Sequence, residues 1–359
     1  MRLLVLSACA VREVLGYRRC ADAMRSALIA RARGEVFQPL RSVLRPDGAA
    51  GFMALMPSYQ DGAAAGYGLK AICITPGNPA AGLDSHQGIV LLSSSRTGQP
   101  LAVLNASAVT EIRTAAVSAV ATALLATDDA DTLAIVGTGV QARSHLTAIS
   151  ATRPLSEVRI AGSSAAKAAA FARDVAPAAL SAADTPAVRV VASASVRDAV
   201  AAAGIVVTAT SSPVPVLSRD WLAPGTHVNA VGACLPATRE LDTATVAGAG
   251  LFADSRESVL AESGDYLLAA ADGALGPGHI RAEIGDLLAG LAPDQGRRDA
   301  DEITVFESLG LAVEDLAAAA VAYQAAQDLG TGTWIDFDRA PSCRVDCRHD
   351  LPAFFTAWA

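Results

Sequence analysis

Gly137, Gly139 and Ala142 stand at the spacing G-x-G-x-x-A, directly after the apolar run Leu133 to Val136 and at the head of a helical stretch, Gln141 to Ser150. Each residue type has a physical use there. Gly137 permits a tight turn. Gly139 has no side chain, so a pyrophosphate can approach the backbone. Ala142 is small enough for the helix to pack on the strand. Free N–H groups at such a helix start face the phosphates, where the helix dipole favours negative charge. The stretch Gly137-Thr138-Gly139-Val140-Gln141-Ala142 is therefore the predicted phosphate-binding turn of a dinucleotide cofactor, with an ordinary Gly-rich turn as the plain alternative.

Cofactor choice is read at the tip of the next strand, Val158 to Ala161. NAD enzymes place an Asp or Glu there for the ribose 2′-hydroxyl. Here the strand runs into Gly162-Ser163-Ser164, and Glu157 lies at its opposite end. Without that acid a 2′-phosphate is not repelled. Ser163, Ser164 and Lys167 are candidates to bind it, so NADPH is expected over NADH, with NADH possible; alternatively the two serines only cap the following helix. Thr210 and Ser211, after the strand Ile205 to Val207, and Val231 and Gly232, after Asn229-Ala230, sit just past strand ends. In an open α/β sheet such positions line the ligand crevice. Loop hydroxyls turning back on their own backbone are the equal alternative.

Three cations fall in apolar surroundings. Arg41 lies between Leu40 and Ser42, Lys70 in Gly68-Leu69-Lys70-Ala71-Ile72, and Arg113 in Glu111-Ile112-Arg113-Thr114-Ala115, at the opening of an alanine-rich helix. A charge in a buried strand is costly unless paired. An anionic substrate is one partner: Arg matches a carboxylate with two hydrogen bonds, and Lys can trade a proton when burial lowers its pKa. A structural ion pair is the other.

These residues need positioning elements. Ser7 to Gly34 reads as helix, and Val36 to Asn105 as short strands with tight connections, among them Gly51 to Met56, Leu69 to Ile74, Gly88 to Leu92 and Leu101 to Leu104. A helix over Thr110 to Ala126 follows. Strands and helices then alternate from Leu133 to Val231, which predicts an α/β, Rossmann-type doubly wound parallel sheet. A last helix covers Leu311 to Leu329.

Composition narrows the classes. The 359 residues are 52% hydrophobic and 18% charged, enough for buried cores and too apolar for disorder. A net charge of −8 excludes nucleic acid as the expected partner. Mean hydropathy is +0.36, but the longest uncharged run, from Asp198 to Arg219, is broken by Gly204, Pro213 and Pro215, so no membrane partner is expected. The N-terminal apolar run ends at Ser7, too soon for a secretory signal. Six scattered cysteines fit reduced thiols and a cytoplasmic location. Cys343, Cys347 and His349 cluster but lack a fourth ligand, so no metal is expected.

Glu111 to Ala119 followed by Ile135 to Ala142 resembles the ornithine cyclodeaminase/mu-crystallin family. So do Gln38-Pro39-Leu40-Arg41, Met53 to Pro57, Ser85-His86-Gln87, Asn229-Ala230-Val231-Gly232 and Glu302 to Leu316. The resemblance runs from about Leu3 to Leu329. It implies a Rossmann domain, 116–310, inserted into an α+β substrate-binding and dimerisation domain formed by 1–115 with 311–359, and a homodimer. It implies that Arg41, Lys70 and Arg113 contact the carboxylate and reacting centre of a small amino or imino acid, with His86 and Gln87 near the nicotinamide. Cyclodeaminases of the family carry an Asp soon after Asn-Ala-Val-Gly; Cys234 stands there in this chain. Members without the Asp need only hydride transfer at a carbon bearing nitrogen. The expectation is an NAD(P)-dependent reductase or dehydrogenase of an imine, cyclic ketimine or α-amino acid. A cyclodeaminase releasing ammonia and a non-catalytic NADPH-binding protein are the alternatives.

Overall fold

The computed structural model describes residues 2–62, 66–185 and 188–337; Cys343, Cys347 and His349 lie outside them. Two eight-stranded sheets organise the chain. The first contains β1 (Arg2–Leu6), β2 (Val36–Phe37), β3 (Ser42–Leu44), β4 (Phe52–Gln60), β5 (Gly66–Ile74), β6 (His86–Ser94) and β7 (Pro100–Asn105), and closes with β16 (Thr333–Asp336). Its order is β16-β1-β7-β6-β5-β4-β2, with β3 pairing on β4. Strands β4 to β7 form an antiparallel meander, as their alternating residues and tight connections predict.

The second sheet holds β8 (Thr132–Val136), β9 (Glu157–Ala161), β10 (Arg189–Ala192), β11 (Ile205–Thr208), β12 (His227–Ala230), β13 (Gly250–Ala253), β14 (Ile280–Glu283) and β15 (Thr304–Glu307). Its order is β10-β9-β8-β11-β12-β15-β13-β14, and every neighbouring pair is parallel. The chain moves outward from β8 through β9 to β10, then returns to β11 on the other flank of β8. That reversal is the switch point at which open α/β sheets bind ligands.

Helices α1 (Ala8–Val14) and α2 (Tyr17–Ala32) follow β1, and α3 (Ala106–Leu125) follows β7. The second sheet carries α4 (Val140–Thr152), α5 (Ala165–Ala170), α6 (Ala176–Ala182), α7 (Val196–Val200), α8 (Thr243–Gly248), α9 (Arg256–Glu262), α10 (Gly264–Ala271) and α11 (Ile284–Leu288), and α12 (Ala312–Leu329) leads back to β16. The helical stretch expected over Ser7 to Gly34 is built as two helices, the first capped by Ser7 and the second starting after Gly16. Helix α5 passes through one wide turn at Phe171–Val175 and continues as α6.

Helix α3 joins the two halves. It is long and apolar enough to cross a membrane by length and composition, yet its residues are mostly buried and it packs against α2, α4, α12, β6 and β12. It starts at Ala106, with Asn105 Oδ1 accepting the Ala108 N–H at 2.9 Å. Arg113 therefore lies inside the helix, not at its opening as read from sequence. The expected boundary after residue 115 also falls within this continuous helix. Alanine packing explains both: small side chains let one helix be buried on every face.

The first core gathers Leu4, Ile72, Val90, Leu104, Ile112 and Leu316 between the antiparallel sheet and α3 and α12. Each such side chain contributes about 1.5–3 kcal/mol on burial. Leu133, Ile135, Leu146 and Ile160 build one core of the parallel sheet, with Ala142 among them, and Val206, Val228, Leu251 and Val305 build another.

Candidate active site

Period-two alternation on β5 places Gly68, Lys70 and Ile72 on the face covered by α12, and Tyr67, Leu69 and Ala71 on the other. A Cβ on Gly68 would lie 2.9 Å from Leu316 Cβ, so the helix sits directly on the strand. That close approach carries Asp315 Oδ2 to 2.7 Å from Lys70 Nζ, with the side chains 1% and 3% exposed. Arg113 reaches the same place from α3. Its Nε donates to Asp315 Oδ1 at 3.0 Å and its Nη1 to Glu314 Oε2 at 2.8 Å.

Arg41 approaches from the loop between β2 and β3. Its Nη2 donates to the carbonyls of Leu309 (2.8 Å) and Gly310 (3.1 Å), and its Nε lies 2.9 Å from Glu262 Oε2. Gly310 holds φ at +81°, and a Cβ there would lie 2.4 Å from Arg113 Nη1. Both guanidinium groups thus meet the Leu309-Gly310 turn that follows β15. Asp254 fixes that turn by accepting the Gly310 N–H at 2.6 Å.

Electrostatics ties the three cations together. Burial pulls Lys70 down to about 8; Asp315 pushes back, and the positive charges of Arg113 and Arg41 add to the lowering. Burial also opposes the charge of Arg113, but Asp315 and Glu314 outweigh it and hold the guanidinium above its ordinary value. His86, the first residue of β6, shares the inner face with Val90; its Nδ1 is 2.9 Å from Ser85 Oγ. Burial lowers its pKa, Asp84 opposes that, and Lys70 contributes to it. Gln87 points to the opposite, exposed side of β6, donating to the Asp84 carbonyl at 3.1 Å.

The predicted phosphate turn lies at the switch point. Gly137 has φ +134°, and a Cβ on it would lie 2.4 Å from the Ala209 carbonyl oxygen in the turn after β11. Gly139 opens α4 with no side-chain cap, and the space beside its Cα is open. Val140 is exposed, Ala142 is fully buried, Thr138 packs its methyl against Gly162, and Gln141 Oε1 is buried without a partner. An open cradle over uncapped N–H groups fits a dinucleotide pyrophosphate.

At the tip of β9, Ser164 caps α5 by accepting the Lys167 N–H at 3.3 Å, and Lys167 Nζ donates to Ser163 Oγ at 3.1 Å. All three are exposed. Glu157, at the far end of the strand, is paired with Arg159 and Arg189. Thr210 Oγ1 accepts the Ser212 N–H at 3.1 Å, the local bond that sequence left as an alternative, while Val231 is buried. Ser211 is exposed beside Thr210, and Gly232 follows Val231 past the end of β12.

Cys234 stands close to both halves of the site. Its Sγ lies 3.3 Å from the Val231 carbonyl and 3.8 Å from that of Ser308. Burial pushes the thiol up to about 11, against the pull of Arg41 and Arg113. The sequence reading identified the cations but not their partners Glu262, Glu314 and Asp315. The signal was available in Leu311-Ala312-Val313-Glu314-Asp315-Leu316, where two acids interrupt an apolar run as Lys70 does.

Residues 1–330 match the model of the ornithine cyclodeaminase/mu-crystallin family. The chain is 39% identical over 290 residues to the ketimine reductase mu-crystallin of Mus musculus, covering 81% of this chain and 85% of that protein. The Δ1-pyrroline-2-carboxylate reductase of Thermococcus litoralis, solved with NADH and L-proline, superposes with a TM-score of 0.86 at 33% identity, over 92% of this chain and 99% of that one. An archaeal alanine dehydrogenase dimer with bound NAD superposes with a TM-score of 0.83 at 30% identity, over 94% and 100% of the two chains. With a family-wide match and this two-sheet architecture, the chain belongs to the ornithine cyclodeaminase/mu-crystallin family.

Proposed function

We propose that this protein is an NAD(P)H-dependent reductase that adds hydride to the carbon–nitrogen double bond of a small cyclic ketimino acid. The observation that carries the reading is the meeting of Arg41 and Arg113 at the Leu309-Gly310 turn, with Lys70 joined to Arg113 through Asp315, beside a dinucleotide-type sheet. Similarity to a ketimine reductase and to a pyrroline-2-carboxylate reductase supports it.

The dinucleotide supplies the hydride when bound. Gly137 to Ala142 would hold its pyrophosphate, and Thr210, Ser211, Val231 and Gly232 would line its nicotinamide end. Arg41 and Arg113 present their remaining guanidinium N–H donors to the substrate carboxylate. Lys70, at about 8, carries its proton at neutral pH. It donates a hydrogen bond to the imine nitrogen, which makes the adjacent carbon electrophilic, and transfers that one proton to the nitrogen as hydride reaches the carbon. His86 lies within the field of Lys70 and would stand near the nicotinamide. Ring closure with ammonia loss calls for a carboxylate where Cys234 stands. A buried thiol held up at about 11 stays neutral, so reduction is favoured over cyclodeamination.

Ser163, Ser164 and Lys167 support NADPH over NADH, since no carboxylate at the β9 tip repels a 2′-phosphate. The outer face of the antiparallel sheet, with Met53, Tyr67 and Ile89 exposed on adjacent strands, supports a homodimer formed through the half built from the N-terminal strands and α12. Free thiols at Cys9, Cys20, Cys73 and Cys234 support a cytoplasmic location.

The test is the purified protein with NADPH or NADH and Δ1-pyrroline-2-carboxylate or its six-membered homologue, followed at 340 nm. Stoichiometric loss of absorbance with formation of the cyclic amino acid is expected. Ammonia released from a diamino acid without net cofactor consumption would establish the cyclodeaminase instead. Tight dinucleotide binding with no turnover on either assay would establish a binding protein.

A further inference from the structure

Glu240 belongs to neither group of candidate residues, yet it is fully buried between two loops of the crevice. Its Oε1 accepts the Thr210 N–H at 2.6 Å, in the loop after β11. Its Oε2 accepts the Gly232 N–H at 2.7 Å, in the loop after β12. The residue itself is anchored: the N–H groups of Glu240 and Leu241 both donate to Asp265 Oδ1 at 2.8 Å, and the Glu240 carbonyl accepts from Val216 and Leu217. A Cβ on Gly232 would lie 2.3 Å from the Thr210 carbonyl oxygen and 2.5 Å from Glu240 Cδ, so glycine is required for the loops to close on the carboxylate.

Two N–H donors converge here from different strands. Only a group with two acceptor oxygens and no donor satisfies both. We propose that Glu240 is a positioning residue that holds the nicotinamide end of the dinucleotide cleft in shape by clamping the β11 and β12 loops together. The inference rests on the dinucleotide reading above. It assigns the two ends of the cleft to different devices: glycine sterics at Gly137 for the pyrophosphate, and a buried carboxylate for the nicotinamide. Loss of the clamp therefore weakens binding of the whole dinucleotide while leaving the adenosine-diphosphate half in place.

The test compares Glu240→Gln with wild type for binding of NAD(P)H and of ADP-ribose, or its 2′-phosphate where NADPH is preferred. In Gln one oxygen becomes an NH2 that faces an N–H donor. The dinucleotide dissociation constant and KM are expected to rise about tenfold or more, the value of one buried N–H left unpaired, while the fragment changes less than about twofold. Gly232→Ala, which presses on the clamp from the other loop, gives the same split and serves where Glu240→Gln does not fold. Equal losses for both ligands, or no loss for either, overturn the clamp and leave the dinucleotide reading intact. A wild type that binds neither ligand overturns the dinucleotide reading, and the clamp with it.

Discussion

Asp315→Asn separates the catalytic reading of Lys70 from a purely structural one. The substitution keeps the side-chain shape and one acceptor oxygen but removes the charge that lies 2.7 Å from Lys70 Nζ. At an effective dielectric of about 20, the 2.7 Å pair is worth roughly 6 kcal/mol of Coulomb attraction. If about a third of that survives water entry and relaxation, the loss is about 2 kcal/mol, or about 1.5 pKa units. Burial, the largest influence on Lys70, is then opposed by nothing of similar size, and the neighbouring charges of Arg113 and Arg41 push in the same direction. The Lys70 pKa falls from about 8 to about 6.5. Reduction requires the protonated lysine, so its rate is lost as pH rises through that pKa. The assay is kcat for ketimine reduction between about pH 5.5 and about pH 9.5, with the melting temperature recorded alongside. Wild type loses activity through about 8, and the variant does so about 1.5 units lower. Breaking a buried pair ordinarily costs about 3–5 kcal/mol. The cost here is smaller, because Lys70 discharges and Arg113 keeps Glu314 at 2.8 Å. A folded variant whose alkaline limb stays where the wild type has it would refute the role of Lys70 as the proton-bearing group.

Three further outcomes follow from the geometry. Asp265 and Glu314 are each pushed up to about 7, chiefly by burial, so protons bound by the folded chain stabilise it below the ordinary carboxylate range and that stability is lost as pH rises through about 7. His145 and His227, held down by burial at about 4 and about 3, act in the opposite sense only below their ordinary value of about 6.5; thermal melts of the cofactor-free protein should therefore show Tm falling between about pH 6.5 and about pH 8, and a rise would contradict this sign. Ser163→Asp places a carboxylate at the tip of β9, and the ratio of kcat/KM for NADPH over NADH should drop by at least about tenfold; an unchanged ratio would remove Ser163 from the 2′-phosphate site. Gly137→Ala forces a Cβ to 2.4 Å from the Ala209 carbonyl at φ +134°, so denaturant melts should show about 1–3 kcal/mol lost and titrations should show dinucleotide binding abolished.

What was legible in the sequence is what depends on neighbours along the chain. The predicted phosphate turn is local: a strand, two glycines, a small residue and a helix within ten positions, and the strand and helix stand where the sequence placed them. Lys70 and Arg113 were visible because a charge in an apolar run is conspicuous. Their partners were not, because Asp315 is 202 residues from Arg113 and only the return of α12 onto β5 brings it there. Strands β13 and β15, Gly250–Ala253 and Thr304–Glu307, escaped for a different reason. Each has four residues buried on both faces, so the alternation that reveals a half-exposed strand is absent. Helix α3 was recognised but begun late, because its first residues, Ala106 to Val109, continue the apolar texture of β7 and the only mark of the boundary is the Asn105 cap.

The same physics explains why this site needs so many buried acids. Three cations drawn together in a water-poor cleft repel one another, and no fold holds them there unless carboxylates share the space. Glu262 beside Arg41, Glu314 beside Arg113, and Asp315 between Arg113 and Lys70 do this from helices that arrive late in the chain. Each cation is held in place by these pairs, so on the proposed reading an incoming carboxylate would meet oriented donors and need not order them. Gly310 completes the arrangement by giving up its side chain to the Arg113 guanidinium. The carboxylates that hold the cations in the core also fix their orientation, so on the proposed reading the ion pairs and the substrate site are one structure.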